Sequence, residues 1–134
     1  GPSSAQPEAE DIIKYRNAVM KAYAGHMGAS ARIVRGKVDI YKNQLGMHAS
    51  SMDAIAKTIG DLFPPDSDFG ETRAKPEVWE NADEYAKAVK SNQDAAANFS
   101  KAAAGGDMAA IGESFKALSD TCKSCHEKFR TEDE

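Results

Sequence analysis

The sequence predicts an all-α protein, an antiparallel up-down-up-down four-helix bundle, and three observations carry that expectation. Four stretches place apolar side chains three and four residues apart, the period of an amphipathic helix. No stretch shows the strict apolar–polar alternation of a half-buried strand. Helix-stopping residues mark the gaps: Gly36, Pro64-Pro65 and Gly105-Gly106. The 134 residues, 41% hydrophobic and 28% charged, suffice for one core and leave little room for a second.

The first helix is expected from about Glu8 to Arg35, with Ile12, Val19, Tyr23 and Met27 on one row, Ile13, Met20 and Met27 on another, and Gly36 as its stop. The second runs from near Asp39 to Phe63 through Leu45, His48, Met52, Ile55, Ile59 and Leu62, and ends at Pro64-Pro65. Residues 64–75, with their prolines, Asp66, Asp68 and Gly70, read as one long loop. Pro76 opens a third helix whose buried face is expected at Trp79, Ala82, Ala86, Val89, Gln93, Ala96 and Phe99. Asp107 caps the fourth, whose face reads Met108, Ile111, Phe115, Leu118, Cys122, Cys125 and Phe129. Helices of this length span roughly 30 to 40 Å, and bundles of them hold cofactors in the core between facing helices. The alanine runs 95–97 and 102–104 add helix propensity and permit close approach.

A net charge of −4 argues against nucleic acid or an acidic membrane surface as partner. No apolar run approaches the roughly 18 residues of a membrane span. The opening Gly1-Pro2-Ser3-Ser4-Ala5-Gln6 lacks the basic-then-apolar order of a signal peptide, so the chain is expected to be mature or trimmed. Residues 1–7 are expected to be a disordered tail or a protease scar, and residues 8–134 the bundle.

The chemistry lies in Cys122-Lys123-Ser124-Cys125-His126, which holds both cysteines of the chain. In C-x-x-C-H two thiols add across the vinyl groups of a haem and the neighbouring imidazole ligates the iron, the signature of c-type haem attachment. The competing readings are weaker. A thioredoxin-like redox pair needs βαβ units, which are missing. A structural zinc needs four ligands, and beyond this run the histidines are only the distant His26 and His48. A Cys122–Cys125 disulfide would close a loop too small to staple anything. One covalent haem c is therefore expected, with His126 as one axial ligand.

A protein ligand on the other iron face must come from upstream, where Met20, Met27, Met47, Met52, Met108, His26 and His48 are candidates. For most of the methionines, flexible core filling is the simpler reading. His48 lies on an apolar stripe and reads as a hydrogen-bonded core or interface histidine before a ligand, and His26, off the stripe, reads as solvent-exposed.

Three separated segments resemble the class II cytochromes c, the cytochrome c′ family. They are the late C-x-x-C-H followed by Lys128-Phe129-Arg130, the run Tyr15-Arg16-Asn17-Ala18-Val19-Met20 with His26-Met27-Gly28, and Leu62-Phe63-Pro64 through to Pro76-Glu77-Val78-Trp79. The resemblance spans about residues 8 to 132. It implies that the position of Met20, an apolar non-ligand such as leucine in the high-spin members, is here a sixth ligand, as in the low-spin, methionine-ligated cytochrome c-556 branch. Met27, two turns away, is the next choice. His/Met ligation raises the potential and favours ferrous iron.

Arg16, one turn before Met20, is either a partner for a haem propionate or a solvated surface charge. The resemblance matches Arg130 to a basic residue flanking the proximal haem face and associated with nitric oxide chemistry. In a six-coordinate protein Arg130 would only screen propionates or favour the helix C-terminus. The expected function is one-electron transfer, without enzymatic activity, between redox partner proteins in the periplasm, by a monomer or homodimer. The alternative is a high-spin cytochrome c′ that binds nitric oxide or carbon monoxide at an open distal site.

Overall fold

The computed structural model describes residues 8–64 and 76–129, and all statements below concern them. Helix α1 spans Ala9–Val34, with Glu10 and Asp11 in its first turn and Arg32 in its last, charges that complement the helix dipole. Its end is a Schellman motif: Gly36 adopts φ 71°, its N–H donates to Ile33 O, and Lys37 N–H reaches back to Arg32 O. The glycine is required there because a side chain at positive φ would be strained.

The expected second helix is divided. A 3₁₀ segment at Asp39–Gln44 leads into α2 at Leu45–Ala56, and a second 3₁₀ turn follows at Ile59–Asp61. The break after Ala56 has a local and a tertiary cause. Thr58 takes Ile55 O with both its hydroxyl, at 2.8 Å, and its N–H, a competition with the helical ladder that threonine favours. Side chains from the next long helix then capture freed carbonyls: Gln93 Nε2 donates to Ala56 O at 3.0 Å and Tyr85 Oη to Ile59 O at 3.2 Å. The hydrophobic line nevertheless continues through the break, with Leu45, Ala49, Met52, Ala56, Ile59 and Leu62 all buried.

The expected loop lies outside the described residues from 65 to 75. The third helix also has a break: α3 covers Glu77–Glu80, Asn81 leaves helical geometry at φ −115° and ψ 59°, and α4 runs Ala82–Gly105. Asn81 is a residue type that favours such boundaries. The buried face of α4 keeps the expected Val89, Ala96 and Phe99 and departs from expectation at its start. Ala82 and Ala86 are exposed, whereas Val89, Asn92, Ala95, Ala96 and Phe99 are buried and Tyr85 is half-buried. Val78 of α3 is buried, and the Trp79 side chain lies outside what is described.

Gly106 closes α4 at φ 79° with its N–H on Ala102 O. Asp107 then caps α5, Met108–Phe129, its Oδ1 accepting from Ala109 N–H at 3.0 Å. Met108, expected on the buried face, is exposed at the first position of α5. Helix α4 packs against α2 and α5, and α1 against α2 and α5, which closes the four-helix bundle. Phe99, Met52 and Leu118 are its most deeply buried large side chains, and the Phe99 ring lies 5.3 Å from Phe115.

Phe99→Ala should lower the unfolding free energy by about 3–5 kcal/mol, the cost of a large aromatic cavity in a packed core. A guanidinium titration read by helical circular dichroism should show a lower midpoint at an unchanged slope.

Candidate functional site

The C-x-x-C-H run forms the last turns of α5. Cys122 and Cys125 are both half-buried and unpaired, and His126 is exposed. Three residues apart on a helix, the two thiols share one face. Burial pushes the Cys125 thiol up to about 11, helped by Cys122 beside it. Cys122 is also raised by burial, a shift opposed by hydrogen bonds from the side chains of Asn92 and Thr121 and from its own backbone. Both groups are thus neutral thiols, unlike the depressed thiolates of a redox C-x-x-C.

Two sets of contacts hold this turn against the rest of the bundle. Tyr23 of α1 donates its hydroxyl to Asn92 Oδ1 of α4 at 2.9 Å. The Asn92 amide in turn donates to Thr121 Oγ1 at 3.1 Å and reaches Cys122 Sγ at 3.6 Å. Asn92 thereby joins three helices at a buried point where an unpartnered amide would be costly. The second set begins at Arg16, only 2% exposed. Its guanidinium donates to Leu62 O at 3.3 Å and lies 4.6 Å from the centre of the Phe63 ring. Phe63 meets Tyr85 edge-on at 5.3 Å, and Tyr85 meets Phe129 edge-on at 5.2 Å. Tyr85 also lies close enough to Cys125 for the two to repel when ionised.

Arg16 is therefore a buried cation, and its reading as a solvated surface charge is overturned: the Leu62–Phe63 turn covers it. Burial pulls its guanidinium below its ordinary value, and guanidinium stays charged regardless. Met20 sits on α1 between Arg16, four residues before, and Tyr23, three after, so it shares the face on which both contact sets begin. Met20, Met27 and Cys122 are half-buried against the same core. His26, expected in solvent, is half-buried instead, because its Nδ1 lies 2.8 Å from His48 Nδ1 across α1 and α2. Arg130 lies outside the described residues.

Asn92 and the aromatic pair Phe63–Tyr85 were missed in the sequence. Asn92 stands three residues after Val89 and four before Ala96, so a polar residue in phase with an apolar stripe was the available signal.

The donor set fits a covalent haem: two neutral thiols on one helix face, an adjacent imidazole, and aromatic side chains beside Cys125. The attachment turn does not gather the three or more protein ligands of a closed ion site of its own, since among the described residues no three His, Cys, Asp or Glu side chains group together. The family model for cytochrome c′ matches residues 11–130. The chain belongs to the cytochrome c′ family. It is 41% identical over 128 residues to a cytochrome c′ of Pararhodospirillum photometricum, covering 94% of this chain and 99% of that one. A cytochrome c-556 of Agrobacterium tumefaciens is 31% identical over 119 residues, covering 88% and 95%. Among solved structures, a carbon monoxide-bound variant of cytochrome c prime from Alcaligenes xylosoxidans superposes with a TM-score of 0.86 at 26% identity, over 93% and 98% of the two chains. The cofactor of cytochromes c′ is one covalently attached haem c.

Burial raises the ionisation of Tyr23 and Tyr85 above the ordinary tyrosine value of 10.0. A phenol held neutral in the fold stabilises it fully below that value and loses the contribution as the unfolded phenol ionises at higher pH. The unfolding free energy should thus fall as pH rises beyond about 10. Tyr23→Phe should flatten that fall in denaturant titrations run as a pH series.

Proposed function

We propose that the protein is a one-electron carrier in which Cys122 and Cys125 tether the haem, His126 is the proximal ligand and Met20 the distal one. The haem supplies Fe(III)/Fe(II) cycling. The reading rests on one observation above all: Arg16 and Tyr23, the residues flanking Met20 on its helix face, begin the two contact sets that run to Cys125 and Cys122. This placement puts Met20 on the part of α1 that is tied to the attachment turn.

Each residue then has a physical task. Two thioethers and an imidazole on one helix limit rearrangement of the site as charge changes. A thioether sulfur on the distal side favours the reduced state and keeps small ligands from the iron. Arg16, a cation already desolvated by the fold, offsets the charge of a propionate, and Arg130, by its resemblance to the basic residue of the family, screens propionate charge. Beside Met20 the helix offers Lys21 and Ala24, neither of them suited to acid–base chemistry near neutral pH. We place the carrier in the periplasm, exchanging electrons with redox proteins, as a single bundle over residues 8–134. Among the described residues no helix is long and apolar enough to cross a membrane.

A second reading, a gas binder with an open distal face, is favoured by the cytochrome c′ relative and the carbon monoxide-bound structure. Optical spectra separate the two. The carrier should give a sharp low-spin ferrous spectrum that carbon monoxide leaves unchanged, whereas a broad high-spin spectrum with ready binding would sink it. Met20→Ala should leave the bundle folded and turn the iron high-spin and open to carbon monoxide. An unchanged spectrum would remove Met20 from the site. Cys122→Ala or Cys125→Ala should leave a single thioether, seen as a shifted absorption band in the alkaline pyridine complex of the haem.

A further inference from the structure

The His26–His48 pair has no part in the electron-transfer reading. The two Nδ1 atoms are 2.8 Å apart, the ring centroids are 5.1 Å apart and the rings are tilted by 57°. A hydrogen bond between two Nδ1 atoms needs one of them unprotonated, so the pair always presents at least one lone pair to the other ring. Burial, and then His26, lowers the protonation of His48, which keeps that imidazole neutral near pH 7.

We propose that His26 and His48 form a second metal site, chelating one Cu(II) ion through their two Nδ1 atoms across α1 and α2. Adjacent nitrogens at about 2.0 Å from one ion in a square-planar arrangement stand about 2.8 Å apart. The observed spacing matches that edge, so modest ring rotations that swing both lone pairs to one side convert the hydrogen bond into a chelate. Imidazole nitrogen suits copper, and Cu(II) ranks highest of the divalent first-row ions for such ligands. The histidines are half-buried, so water reaches one side of the pair and fills the remaining positions.

The scaffold favours the chelate. The ligands are 22 residues apart in sequence but stand on two helices whose spacing is set by the buried Tyr23, Ile33, Leu45, Ala49 and Met52. Two rings already in contact lose little freedom on binding.

The test uses the ferric holoprotein, in which copper finds no reduced iron to oxidise. Titration with Cu(II) should saturate at one ion per chain, and the copper paramagnetic resonance spectrum should show two equivalent imidazole nitrogens. His26→Gln and His48→Gln should each weaken binding at least tenfold and leave at most one nitrogen coupling, with the haem spectrum and helical content unchanged. Copper binding that survives both substitutions, or no binding at micromolar Cu(II), overturns the site. So does a His48→Gln protein whose haem spectrum changes, because His48 would then serve the iron. These outcomes do not depend on whether Met20 is a ligand.

Discussion

Asn92 is the residue on which the arrangement of the site depends. Its amide accepts from Tyr23 on α1 and donates to Thr121 and Cys122 on α5, while its own backbone belongs to α4. Three helices are thereby held in register at one buried point by bonds whose loss would leave polar groups unsatisfied. Hydrophobic packing alone specifies such a bundle less sharply, since apolar contacts tolerate sliding and rotation, whereas a fully partnered polar group does not. The register it sets brings the first helix to the turn that holds both thiols.

The second constraint is charge in a dry place. Arg16 is almost wholly buried, and its neighbours include the carbonyl of Leu62 and the face of Phe63. Burying a guanidinium is expensive, and an anion that completes its site offsets that cost. In a cytochrome of this family the propionates of the haem are anions of the right kind.

The four long helices were legible because helix period is a local property: the stripes through Leu45 to Leu62 and Ile111 to Phe129 were buried nearly as spaced. The break after Ala56 was not legible in full, because beyond the local pull of Thr58 it depends on Gln93 and Tyr85 reaching carbonyls 37 and 26 residues away. Alanines at 82 and 86 misled for a related reason: alanine fits a buried or an exposed helix face equally well, and the true face was set by Tyr85 and Asn92. Cys122, Cys125 and His126 could be singled out from spacing alone. His48, on its apolar stripe, was legible as a hydrogen-bonded core or interface histidine, but the burial of Arg16 and the choice of His26 as partner were not, since both depend on a second element that covers them.

The central claim is that a sulfur from the first helix completes the coordination of iron held by the last. X-ray absorption at the iron edge of the ferrous holoprotein tests it directly, because sulfur and nitrogen scatterers are distinguishable there. Six-coordinate iron with one sulfur scatterer, replaced by a five-coordinate, sulfur-free shell in Met20→Ala, is the predicted result. A five-coordinate, all-nitrogen shell in the unaltered protein would contradict it.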